Sequence, residues 1–262
     1  MKRTSISLIT SFLLSLFLVT LISGCVATGS TKHATSAVDF LYPNTSDPIE
    51  KAGIPILNLP LRVGIAFVPG EGGGTFGGSN LITGVQITRF VLGEDTKTNL
   101  MKEVAEHFKS YSFVKDIQVI PSSELTARGS FANLDRIRSE HGVDVIALLS
   151  YDQAQFTDEG VASLTYWTLV GAYVVPGEKN DTHTMLDAVV YDIKSRKMLF
   201  RAPGTSHTKS LATPVNVAEQ LRTDSEKGFG LAAKDMIVNL DDQLALFREK
   251  VRKNPAQFKV VE

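Results

Sequence analysis

The chain contains a single cysteine, Cys25, so whatever it folds into holds no internal disulfide. Its position is as restrictive as its number. Lys2 and Arg3 make a basic start, Ile6 to Ile22 is an apolar run broken only by Ser and Thr, and Ser23-Gly24 lead into the cysteine. That is the layout of a cleavable export signal rather than of a spanning helix. A free thiol is a liability in an oxidising compartment. About 240 residues remain beyond such a leader, enough for one sizeable domain with attached segments or two small ones. A hydrophobic content of 43% is normal for a globular protein, and packing of that apolar surface has to hold the fold without cross-links.

The run Ile22-Ser23-Gly24-Cys25 resembles a bacterial lipobox. The resemblance implies that residues 1–24 are a signal peptide, that the Cys25 thiol takes a diacylglycerol, and that the new amine is acylated, as with palmitate. The mature protein is then held at a membrane by lipid and not by a helix. Val26 stands where an aspartate resembles an inner-membrane retention signal, so the expected location is the outer membrane, facing the periplasm. Losing Lys2 and Arg3 takes 27 basic residues to 25 against 28 acidic ones, a formal charge of −3. That balance points away from nucleic acid and from a polybasic membrane patch.

Residues 25–60 are expected to be the lipidated cysteine, a flexible small-residue tether over 26–36, and a lead-in carrying Pro48, Pro55 and Pro60. Val38 to Tyr42 is an apolar cluster suited to a docked helical turn. The core domain is expected over 61–210. Leu61–Val68 predicts a strand closed by Pro69-Gly70. Six glycines in the nine residues 70–78 predict a mobile loop, because ordering them costs too much entropy. Glu94–Tyr111 predicts a helix capped by Asp95 or Thr96, with Leu100, Val104 and Phe108 on one face. Val114–Ile120 predicts a strand, and Leu134–His141 a short helix ended by Gly142. Val143–Leu149 is apolar throughout, as in a strand buried on both faces. Ala162–Val175 is β-rich, and Thr184–Ile193 with Lys197–Pro203 predicts a hairpin across Lys194-Ser195-Arg196. From about Val215 to Arg252 the pattern is helical, interrupted near Gly228 and Gly230, with Leu240, Leu244, Phe247 and Val251 forming a narrow stripe. The order β-α-β-α-β, then a β meander, then a long helix predicts an α+β or α/β fold. It has a mixed sheet and flanking helices, and residues 211–262 pack on the core.

Few motifs carry chemistry. The glycine-rich stretch lacks the lysine and Ser/Thr of a phosphate loop. None of His33, His107, His141, His183 and His207 pairs with another at helical ligand spacing, so no metal site or cofactor is expected. There is no G-x-S-x-G elbow. Asp187 and Asp192 alternate with apolar neighbours and are expected as exposed carboxylates on a sheet face. Tyr166, Trp167 and Tyr173, followed by a polar run with Lys179 and His183, form a candidate surface for another envelope protein, since aromatics beside a polar tip suit binding.

Val38-Asp39-Phe40-Leu41-Tyr42-Pro43, Leu59 to Pro69, Val143 to Gln153 and Thr165 to Thr184 resemble the rhombotarget lipoprotein family. That resemblance covers most of the mature chain and implies an envelope lipoprotein. Some members of the family carry a C-terminal Gly-Gly sorting tail for a rhomboid-type protease. This sequence has Lys259-Val260-Val261-Glu262 there, so such processing is not expected. The element order is also similar to the α/β domains of accessory envelope lipoproteins of the curli-secretion and penicillin-binding-protein-activator groups. The expected function is a non-enzymatic, lipid-anchored binding or scaffolding domain. Two alternatives stand beside it. An envelope hydrolase needs a His and a carboxylate within reach of a Ser, and a small-ligand carrier needs an apolar cavity.

Overall fold

A computed structural model describes residues 29–43, 52–70, 76–77, 92–159, 178–212 and 216–261. Among them lie nine strands and four α-helices. The strands are β1 Gly29–Ala34, β2 Ile56–Asn58, β3 Leu61–Phe67, β4 Phe76–Gly77, β5 Val114–Ile120, β6 Val145–Glu159, β7 Glu178–Asp192, β8 Lys197–Ala212 and β9 Lys259–Val261. The helices are α1 Ala37–Leu41, α2 Glu94–Phe108, α3 Ser130–His141 and α4 Val217–Lys253. The fold is the expected mixed sheet with flanking helices and a long C-terminal helix.

Strand β6 organises the main sheet. One edge pairs along its whole length with β7, antiparallel, from Val145↔Asp192 to Glu159↔Glu178. Its other edge is shared. Val145 to Leu149 pair in parallel with Val63 to Phe67 of β3, and Asp152 to Thr157 pair antiparallel with Ala34 to Gly29 of β1. β3 continues to β5, β1 to β4, and β7 to β8. Seven strands therefore form a sheet that is five strands wide at either end.

β5 and β6 flank β3 in parallel, so the chain crosses from β3 out to β5 in one direction and from β5 back past β3 to β6 in the other. Two crossovers of one hand then put their helices on opposite faces. The core agrees. Phe131, Leu134 and Ile137 of α3, together with Phe40 and Leu41 of α1, pack with Ala66, Ile146 and Leu148. Leu100, Met101 and Val104 of α2 and Phe229, Ala232 and Met236 of α4 pack with Ile65, Phe67 and Leu149 on the other side. Alternate residues of β3 and β6 feed the two cores, which is why the first half of β6 is apolar without a break.

Several expectations need correction. The flexible tether over 26–36 does not hold for 29–34, which form β1 inside the sheet. The cluster after it is a helical turn, capped by Ser36 and buried through Phe40 and Leu41. The lead-in supplies β2, which pairs in parallel with β9. α2 starts at Gly93 with no side-chain cap, so neither Asp95 nor Thr96 serves. Asp187 and Asp192 are buried: Asp187 receives the Arg201 guanidinium at 2.7 Å, and Asp192 accepts the Ser195 N–H at 2.8 Å, closing the β7–β8 turn. α4 is unbroken over 37 residues. Gly228 is not a kink but a close approach, since a Cβ there would lie 2.6 Å from Thr184 Oγ1. The hairpin strands are also longer than predicted, because polar alternation in 179–183 and 204–212 faces a helix on one side and solvent on the other. The mobile-loop reading of 70–78 falls mostly outside the described residues, and the β-rich 162–175 entirely so.

Candidate functional site

Helix α2 covers β3 and β5, while α4 runs over β7 and β8 on the same face. The two helices do not close over the strands between them, and an apolar cleft of about 520 Å³ remains. Its floor is Val63 and Ile65 of β3, Ile117 of β5, Val145 and Ala147 of β6, and Ala188 and Val190 of β7. Ala147 stands on the central strand yet is only half-buried, because its methyl group faces this space. The small side chains Ala147 and Ala188 deepen the floor. Val104 and Phe108 make the α2 wall, and Leu240, Leu244 and Phe247 the α4 wall. All four residues of the stripe expected on the last helix, Leu240, Leu244, Phe247 and Val251, line this cleft.

A polar strut bridges the two walls. Asp241 of α4 meets His107 Nε2 at 2.8 Å and accepts the Tyr111 hydroxyl at 3.0 Å. The hydrogen bond to the Asp241 carboxylate, with a smaller contribution from burial, raises the Tyr111 pKa above the ordinary tyrosine value. Phe108 lies under the strut, stacked at 5.8 Å on Tyr111. At the opening stand Ser112, Phe113, Val260, Arg248 and Arg252. The Arg248 guanidinium lies over the Phe113 ring at 5.4 Å, and the Arg252 side chain is 80% exposed. Ser112, Arg248 and Arg252 are the polar members of the lining, and none sits in the interior. The arrangement suits an apolar body held by burial, with an anionic or polar end at the guanidinium groups. Among the described residues its interior offers no group for proton transfer or nucleophilic attack.

The residues singled out from sequence are scattered with respect to this cleft. Cys25, Tyr166, Trp167 and Tyr173 lie outside the described residues. Lys179 is exposed on β7, opposite Leu211. His183 points to the face away from α4 and pairs across the hairpin with His207. The absence of a histidine pair at helical spacing concealed that pairing, because strand register, not helical repeat, brings the two together. Four histidines each meet a carboxylate: His107 meets Asp241, His141 meets Glu124, and His183 and His207 both meet Asp181. Ser110 hydrogen-bonds the His107 carbonyl rather than its ring.

No motif in the sequence marks the cleft. Its floor consists of ordinary strand residues, and the one available signal was the pair of alanines on otherwise bulky strands. No protein-family model matches this chain, and no curated protein matches it.

Proposed function

We propose that this is a lipid-anchored envelope protein whose folded domain binds a long apolar ligand with an anionic end, such as a fatty acid. The observation that carries this reading is the 520 Å³ apolar cleft with Arg248 and Arg252 at its opening. The volume lies within the roughly 300–1,000 Å³ of small-molecule sites. Burial is worth ~0.8 kcal/mol per methylene, so ten buried methylenes supply ~8 kcal/mol before the cost of immobilising the chain. A dissociation constant of about 1 μM, ~8.2 kcal/mol, is therefore the ceiling for ten buried methylenes, and the cost of immobilisation makes the net affinity weaker than that. Anchoring through Cys25 keeps the domain beside a membrane, where acyl chains are concentrated. A scaffold without a ligand needs a filled face under its helices, and the cleft favours the carrier over it.

The test is titration of the purified soluble domain with a fluorescent long-chain fatty acid, followed by displacement with palmitate. Saturable one-to-one binding is expected. Ala147→Phe places a ring in the cleft and should abolish binding while leaving the melting temperature equal or higher. The double variant Arg248→Ala, Arg252→Ala should weaken the acid and leave the corresponding alcohol unchanged. If the wild type shows no saturable uptake, or Ala147→Phe binds as well as wild type, the cleft is not a ligand site.

A further inference from the structure

The β7–β8 hairpin builds a second constellation on the opposite face of the sheet, beyond the strand ends that α3 covers. His183 and His207 are direct cross-strand partners, and Asp181 precedes His183 by two residues on the same face. The imidazole rings stack with centroids 4.1 Å apart and planes 14° from parallel. Both turn Nε2 toward one carboxylate oxygen. Asp181 Oδ1 lies 3.1 Å from His183 Nε2 and 2.5 Å from His207 Nε2. One ligand atom from each of the three residues falls within 4.8 Å of the others. Lys209, opposite Asp181 in register, stands 3.8 Å from the other oxygen, Oδ2.

We propose that Asp181, His183 and His207 form a binding site for a divalent transition metal of zinc or copper type. Two imidazole nitrogens and one carboxylate oxygen are the donors that such ions take, and they discriminate against magnesium and calcium, which take oxygen. Two imidazoles on one zinc at 2.0–2.1 Å stand roughly 3.3 Å apart in tetrahedral geometry. The rings must turn out of their near-parallel stack to aim both nitrogens at one ion, a rotation that their exposed side chains are free to make. The scaffold is rigid, because a fifteen-residue ladder joins β7 to β6 on one side and β8 pairs on the other. Lys209 holds Oδ2 and leaves Oδ1 to face the metal. Both histidines are about half exposed, so a bound ion keeps at least one position open to water or to an outside ligand. The site shares no residue with the cleft and stands or falls separately from the ligand reading.

The experiment is calorimetric titration of the purified full-length protein, stripped of metal by chelation, with Zn²⁺, and electron paramagnetic resonance of the Cu²⁺ form. One zinc per chain is expected, with a copper spectrum showing two nitrogen ligands. His183→Ala and His207→Ala should each lower affinity at least tenfold. Lys234→Ala, an exposed position on α4 outside both histidine–carboxylate clusters, should change nothing. The substituted histidines are exposed, and circular dichroism checks that the variants keep their fold. No stoichiometric zinc binding in the wild type, or equal binding in His183→Ala and His207→Ala, overturns the site.

Discussion

Gly204 is the point where helix and sheet come closest, and Gly204→Ala tests the packing geometry directly. A Cβ on this β8 residue would lie 2.1 Å from the Ala232 carbonyl oxygen and 2.4 Å from the Met236 nitrogen. Ordinary contact begins at 3.4 Å, so α4 would have to retreat by the difference, about 1.3 Å. Both obstructing atoms are backbone, and no rotamer change relieves them. The retreat would loosen Ala232, Ala233 and Met236, all buried. It would also strain two bonds that pin the helix here, Asn239 Nδ2 to the Pro203 carbonyl at 2.7 Å and the Thr205 N–H to Asp235 at 2.8 Å. Overpacking of this kind costs ~1–3 kcal/mol, and the reduced freedom of the unfolded chain returns ~0.4–1 kcal/mol. Rigid neighbours place the net loss at about 2 kcal/mol, which lowers the melting temperature by roughly 4–8 °C for a domain of this size. Urea unfolding should show a lower midpoint with an unchanged slope. Gly230 is the internal control. Nothing lies within 4 Å of a Cβ there, so Gly230→Ala in mid-helix should stabilise by ~0.5–1 kcal/mol. If Gly204→Ala is as stable as the wild type, the docking of α4 described above is wrong.

Two further outcomes concern the anchor and the tyrosines. Cys25→Ser should leave full-length precursor, or release the protein from the membrane fraction; a variant that fractionates and migrates like the wild type removes the lipoprotein reading. Burial, with Tyr42 beside it, pushes the Tyr191 hydroxyl up to about 12, and burial carries Tyr151 higher still. A raised folded value means that the fold favours the neutral phenol. The contribution of Tyr191 to stability is therefore fully present below the ordinary value near 10 and is lost as pH rises through about 12. Tyrosine absorbance followed together with circular dichroism should show Tyr151 ionising only as the fold is lost. Ionisation of every tyrosine near pH 10 in a folded chain would contradict this burial.

Much of the architecture was legible along the chain. β3, β5, α2, the first half of β6 and the run of α4 follow from local signals: apolar runs between breakers, helical stripes, and the left-handed Gly142 that ends α3. The leader and Cys25 are likewise linear signals, and they carry the expectation about compartment without any fold. Other features depend on neighbours that a sequence does not list. Gly29 to Ala34 are small and polar and have no strand pattern of their own, yet they pair with β6 because that strand outruns β3 and leaves half an edge open. Asp187 is buried because Arg201 stands across the ladder from Val189, close enough to reach it. His183 and His207 meet because the β7–β8 register aligns them. The apolar cleft exists because α2 and α4 stop short of each other above Ala147 and Ala188. Periodicity tells each residue which face it takes; the distance between two helices on that face is set by the packing of both against the sheet, and only the tertiary structure decides it.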